Sequence, residues 1–309
     1  MHKSFSRFLF AGLALSAALI SRAGATATEF ASAVVSYNPG DATTTDPTLT
    51  DSSAALGAPT GIVGVGSGYP GVLSPFNPGF QSSEIVVIGE GGEITLQFPE
   101  PVIVGTGKSI GVFSNAGLVD TDYPDGTVGS PATTFGGGSA KVRVSEDGTH
   151  WVLLGAREFT NPSNYYVNAG PYDVTAPSSP VDANFGQPFL GLPTSFSGDD
   201  YASVISTLDG SGGGRWLDLS PTGLSEINYI RFTVPGDGTD FAGTVGTRMV
   251  IDAVAVADSH VEPSVQVDSI TASPSVVGSV PLPSAFWLSM VGISAIVVGR
   301  FVVRRARAS

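Results

Sequence analysis

The chain has no cysteine among its 309 residues. That excludes disulfides, thiolate nucleophiles, zinc–thiolate centres and iron–sulfur clusters. Charged residues are scarce at 13%, and the basic ones are scarcer still, 14 against 27 acidic. Histidine is almost absent, with three in the whole chain, and no metalloprotease helix motif can be assembled from them. No long stretch carries a helical apolar period. What remains is glycine (40), proline (22) and short apolar segments separated by turn residues.

The two ends differ from the middle. Lys3 and Arg7 precede an apolar run from Phe8 to Ile20, and Ala23-Gly24-Ala25 follows as a small-residue cleavage site. Residues 1–25 therefore read as a signal peptide. Near the other end, an apolar run from Ala285 to Gly299 extends through Phe301-Val302-Val303. It approaches the ~20 residues that span a bilayer as one transmembrane helix. Arg300, near its end, can snorkel to the headgroups. Arg304, Arg305 and Arg307 mark a cytoplasmic basic end. Before the run stands Val280-Pro281-Leu282-Pro283, whose prolines resist helix and hold an extended, accessible strip.

Lys3, Arg7 and Arg22 lie in the leader and four arginines in the tail, and neither end holds an acid. The body between keeps seven basic residues against 27 acids, a net charge of about −20. Nucleic acid is excluded as a partner on that balance. Calcium is the cation an Asp-rich exported domain invites.

The body is strand-like. Thr95–Phe98, Lys141–Ser145 and Ile230–Val234 alternate polar and apolar residues, as half-buried strands do. Met249–Ala257 is apolar on both faces except at Asp252, and predicts one central strand covered on both sides. Further strands are expected at 30–37, 84–88, 109–113, 151–155 and 201–207. About ten short strands with Gly/Pro/Asp turns predict an all-β fold, a jelly-roll-like two-sheet β-sandwich over residues 28–260. Two long loops, 38–81 and 161–199, interrupt it; such loops bind something or pack as compact lids. Residues 261–279, rich in Ser, Val, Thr and Pro, read as a flexible linker.

The order Pro motif, transmembrane helix, basic end over residues 280–309 resembles the PEP-CTERM sorting signal of Gram-negative bacteria, in its VPLPA-like variant. Ser284 stands where that variant usually has Ala. The resemblance implies an exosortase as processing partner. It implies transient anchoring in the inner membrane, then delivery to the cell surface or extracellular matrix. A second resemblance lies in Ser145-Glu146-Asp147-Gly148-Thr149-His150-Trp151, which is similar to the S-x-DG-x-x-W hairpin of discoidin-like, galactose-binding-like domains. Leu56-Gly57-Ala58-Pro59, Gly91–Phe98 and Val112–Asn115 fall in the order seen in many exported PEP-CTERM proteins. A matrix exopolysaccharide is the partner these resemblances imply.

Chemistry is thinly signalled. Gly107-Lys108-Ser109-Ile110-Gly111 fits the nucleophile-elbow pattern, but no helical segment follows it, so Ser109 reads as a strand residue. Gly66–Gly71 fits a dinucleotide fingerprint without the strand–helix context, and reads as a loop. Asp252 needs a partner if buried. Backbone N–H groups or Arg231 are one kind; calcium shared with Asp237 and Asp240 is the other. Tyr69, Phe76, Phe80, Tyr123, Tyr165, Tyr166 and Tyr172 lie in loops, where rings either stack on sugars or pack the loops down. Trp151 and Trp216 read as core. The function expected is a non-enzymatic surface or matrix protein that binds glycan. The competing readings are a polysaccharide hydrolase using paired Asp/Glu and a surface-layer domain without ligand.

Replacing both Pro281 and Pro283 with Ala is expected to leave an unprocessed, membrane-retained form. A processed band of unchanged mobility on a blot overturns the sorting-signal reading.

Overall fold

The computed structural model describes residues 28–236 and 248–260. The expected leader, linker, sorting motif and basic tail, together with Asp237 and Asp240, lie outside the described residues. The chain divides into two compact units, 1–264 and 265–309. All described residues belong to the first.

That unit is built mainly of β-strands in antiparallel sheets. The strands are β1 (Ala33–Asn38), β2 (Ile62–Val63), β3 (Gly71–Val72), β4 (Val86–Gly89), β5 (Glu93–Ile103), β6 (Lys108–Phe113) and β7 (Gly117–Leu118). They continue with β8 (Thr134–Phe135), β9 (Ser139–Ser145), β10 (Val152–Glu158), β11 (Arg215–Asp218), β12 (Glu226–Thr233), β13 (Arg248–Ile251) and β14 (Ala253–Val256). Among the described residues two short α-helices are present, α1 (Ala42–Thr45) and α2 (Tyr201–Leu208). Among the described residues no helix is long and apolar enough to cross a membrane.

The largest sheet has the order β1-β5-β12-β9-β10, and a second has the order β11-β6-β14. Strand β13 pairs with β4 separately. Register lines up the apolar positions across the large sheet. Ile94, Phe232 and Val142 form one row, and Leu96, Ile230 and Val144 the next. All six are fully buried. They meet Ile110 and Val112 of β6, Val254 and Val256 of β14, Val86 and Ile88 of β4, and Met249 and Ile251 of β13 in one core. The period-2 patterns read from sequence are therefore core-facing patterns.

The second sheet is also covered on its other face. Phe113, Trp216, Ala253, Ala255 and Ala257 pack there against Phe185, Phe189, Phe196, Val204 and Leu208. These come from the second long loop and α2, so the loop is a packed layer. A smaller cluster of Ala42, Ile85, Val87 and Val250 covers the outside of β4 and β13.

Three sequence expectations need correction. The segment 201–207, expected as a strand, is the helix α2. The Asp200 side chain accepts a hydrogen bond from Ser203 N at 2.9 Å and caps it, while Val204 and Leu208, four residues apart, face the core. The single strand expected over 249–257 is two strands. Met249 and Ile251 face the main core, but so do Val254 and Val256, so the alternation slips by one residue at Asp252. The chain changes partner there, from β4 to β6. Finally, Trp151 is half-buried outside the core, with the Arg231 guanidinium 4.0 Å from its ring centroid. Trp216 is core, 2% exposed.

Phe232→Ala is expected to cost about 3–5 kcal/mol, through lost burial and a cavity beside Phe159. Leu153→Ala, on an exposed position of β10, is expected to stay within about 0.5 kcal/mol. Denaturant midpoints of the two variants check the contrast.

Candidate functional site

The Asp-Gly hairpin forms around Asp147. Its Oδ1 accepts bonds from the backbone N–H groups of Thr149 and His150, both at 2.8 Å. The loop is six residues long, 146–151, and Gly148 alone takes the positive φ, +74°. It is wider than a two-residue turn because Asp147 and Ser145 cap it from within. His150 Nδ1 lies 2.6 Å from Asp147 Oδ2, so the bond to Asp147 raises the imidazole pKa. The pair is a surface feature: His150 is 91% exposed, and its ring bonds, to Asp147 and Thr149, both fall on Nδ1. Among the described residues no serine hydroxyl is hydrogen-bonded to its ring. Ser109 is fully buried within β6, and no helix follows it.

Asp252 is 4% exposed, and the charge of Glu84, also 4% exposed, acts on it. Backbone donors go to Glu84, whose carboxylate accepts from Gly64 N (2.6 Å), Phe80 N (2.9 Å) and Gln81 N (3.1 Å). Arg231 is engaged elsewhere, by Thr95 Oγ1 at 2.9 Å and Glu93 Oε1 at 3.4 Å. Neither protein partner expected for Asp252 is therefore present among the described residues. Burial, and then the Glu84 charge, push its carboxyl well above the ordinary carboxylate range. Among the described residues no group of three or more His, Asp or Glu side chains is arranged to hold a metal. Among the described residues, Asp252 and Glu84 are the two buried carboxyl groups. Being sealed, they do not reach a glycosidic bond.

The loop layer holds a different constellation. Asp120, Asp122, Tyr123 and Asp125 lie between β7 and β8. Asp120 Oδ1 accepts from Asp122 N (2.9 Å) and Thr127 N (3.0 Å), and Oδ2 from Gly126 N (3.1 Å) and the Tyr172 hydroxyl (3.1 Å). Burial raises the Asp120 carboxyl, but the four bonds outweigh it and hold the group below its usual value. Four donors on one carboxylate make this loop rigid. The half-buried Tyr172 ring meets Tyr123 edge-on at 4.9 Å between centroids. It also packs against Phe76 at 6.4 Å, and Phe76 packs against Tyr201 at 6.1 Å. Burial pushes the phenol of Tyr172 up, and that of Tyr201 likewise. The Tyr201 hydroxyl is buried with no partner among the described residues.

Tyr123 is 74% exposed on this support. Asp122 and Asp125 beside it are exposed as well. The site is thus a projecting ring, a fixed second ring and a rim of acceptors. Of the other loop aromatics, Phe76 is core, and Tyr165 and Tyr166 pack on each other at 4.7 Å, half-buried. Tyr69 and Phe80 are exposed. Sequence reasoning missed Tyr201, placed here by α2, and Asp120. The N-cap signal at Asp200 was the one available pointer to the former.

No protein-family model and no curated protein matches this chain.

Asp252→Asn is expected to remove a pH dependence. A carboxyl whose folded pKa is raised binds a proton that the unfolded chain has released. Stability therefore falls as pH rises from the unfolded value, about 3.9, toward the folded one. The Asn variant is expected to lack that fall and to be the more stable protein near pH 7. Parallel stability–pH curves for variant and parent refute this.

Proposed function

We propose that this protein is an exported glycan-binding protein of the cell surface or extracellular matrix. Its body is a jelly-roll-like two-sheet sandwich that binds sugar through the loop layer. The leader at 1–25 directs export. The tail at 280–309 anchors the chain until an exosortase-type enzyme acts at Val280-Pro281-Leu282-Pro283. Two antiparallel sheets sharing one core support the sandwich reading, and the three-part order of the tail supports the sorting reading.

One observation carries the binding function: Tyr123 stands 74% exposed against Tyr172, which Asp120 holds by its hydroxyl. A large ring left in water costs burial energy that the loop recovers when the ring is covered. Sugars have one apolar face for such a ring and hydroxyl donors for carboxylates such as Asp122 and Asp125. A body charged at about −20 receives neutral glycan without the repulsion it presents to polyanions.

Binding of the full chain to immobilised neutral polysaccharides is the test. Saturable binding is expected. Tyr123→Ala is expected to weaken it on the order of tenfold with no change in melting temperature, as the loss of one anchoring aromatic. Absence of binding, or equal binding by the variant, overturns the reading.

A further inference from the structure

The body holds seven basic residues against 27 acids, and three of the seven, Lys141, Arg143 and Arg231, lie on one face of one sheet. Their strand neighbours Val142, Val144, Ile230 and Phe232 point into the core. The residues between them therefore point outward, on the far face of the five-stranded sheet. Register sets Thr95, Arg231, Arg143 and Leu153 in one row across β5, β12, β9 and β10. Arg231 and Arg143 are thus directly opposite each other on adjacent strands. Side chains so placed have Cβ atoms about 5 Å apart, and like charges there destabilise the pair. Two facing cations in an acid-rich body call for an anion.

The protein supplies that anion only in part. Arg231 Nε donates to Thr95 Oγ1 at 2.9 Å and lies 3.4 Å from Glu93 Oε1. Its guanidinium carbon stands 4.0 Å from the centroid of the Trp151 ring. These contacts fix the group, yet its side chain stays 26% exposed, and Nη1 and Nη2 form no hydrogen bond among the described residues. Glu93 is already shared, since its Oε2 accepts from Thr233 Oγ1 at 3.0 Å. Arg143, half-buried, forms neither an ion pair nor a hydrogen bond among the described residues. Other arginines are provided for: Arg248 by Asp46, and Arg157 by two carbonyls of its own strand. Apolar surface flanks the pair. Leu153, beside Arg143, is 56% exposed, and Trp151 and Tyr229 are half-buried next to Arg231.

We propose that Arg143 and Arg231 form a binding site for the carboxylate of an acidic sugar unit on the outer face of the five-stranded sheet. The carboxylate accepts a parallel pair of N–H bonds from Arg143 and further bonds from the Nη groups of Arg231. The sugar ring rests on the apolar surface of Leu153 and Trp151. A body charged at about −20 repels polyanions at long range, so the ligand is a uronate unit within a mostly neutral glycan. No residue of the tyrosine cluster takes part. The two sites are therefore tested apart, and a glycan that is neutral throughout still binds at Tyr123.

NMR of the full chain labelled with ¹⁵N at arginine and tryptophan tests this, with galacturonate, its neutral methyl ester and acetate as probes. Saturable shifts of the Arg143 and Arg231 Nε–H and Trp151 indole resonances are expected with galacturonate, weakening as salt is raised. The ester, which keeps the ring and loses the charge, is expected to leave those resonances in place. The readout lies on the arginines, so neutral sugar held at Tyr123 neither produces nor removes it. Arg143→Gln is expected to weaken galacturonate binding on the order of tenfold to a hundredfold. Arg143→Lys, which keeps the charge and removes the planar N–H pair, is expected to recover only part of that loss. Acetate binding as tightly as galacturonate overturns the sugar assignment. The absence of saturable arginine shifts, equal shifts with the ester, or undiminished binding by Arg143→Gln overturns the site.

Discussion

The fold depends on burying β14 on both faces. Val254 and Val256 enter the core shared with the large sheet, and Ala253, Ala255 and Ala257 face the opposite way. A strand with two apolar faces is stable only between two layers. The large sheet supplies one layer. The other must come from the long connections, so those connections cannot be free loops. Alanine on the second face sets how close they come. With no side chain beyond Cβ, it lets Phe113, Phe185 and Trp216 pack as a ring cluster over the strand, with Phe113 5.2 Å from Phe185 and 6.3 Å from Trp216. The residue 160–214 segment is thereby committed to packing before any question of binding arises.

The phase slip at Asp252 follows from the same demand. Strand β13 is covered outside by Ala42 and its neighbours, and β14 by the aromatic layer. The two covers belong to different parts of the chain. A single straight strand would hold one alternation under both; the slip re-aims it where the partner changes from β4 to β6. The residue at the slip is the one acid in the run. Its neighbour Glu84 takes three backbone donors, which ties the first long loop at Gly64, Phe80 and Gln81 to the start of β4. A buried carboxylate so used is a fastener between loop and sheet.

The parts legible in the sequence were those decided locally. Val142 and Val144, and Ile230, Phe232 and Val234, show their buried face by alternation alone, because a strand's period needs no knowledge of its partner. The helix α2 was illegible because Val204, Ile205 and Thr207 are β-branched and the segment is only two turns long. Its cap and the burial of Val204 and Leu208 in the aromatic layer outweighed propensity. The fate of Trp151 depended on Arg231, which is far away in sequence. The proposed binding constellation was illegible for the same reason. Tyr172 and Asp120 are 52 residues apart, and nothing in either stretch announces the other. The aromatic richness of the loops was visible, but which rings are covered depended on the third layer.

On the proposed glycan-binding reading, that third layer ties stability to recognition. Phe76 belongs to the covering cluster over β14 and is also the floor beneath Tyr172. Asp120 orders its own turn through three backbone bonds and spends its fourth bond on the Tyr172 hydroxyl. Tyr201 is the first residue of the helix whose Val204 and Leu208 close the core. Each group that presents Tyr123 to solvent is therefore also a group that holds a layer down. A ligand meeting such a site finds its ring already oriented, and the entropy of ordering the loop has been met by folding. The same economy sets a limit on change. On that reading, substitutions at Tyr123 act on recognition alone, whereas substitutions at Phe76, Asp120 or Tyr172 act on the second sheet's cover first and on recognition through it.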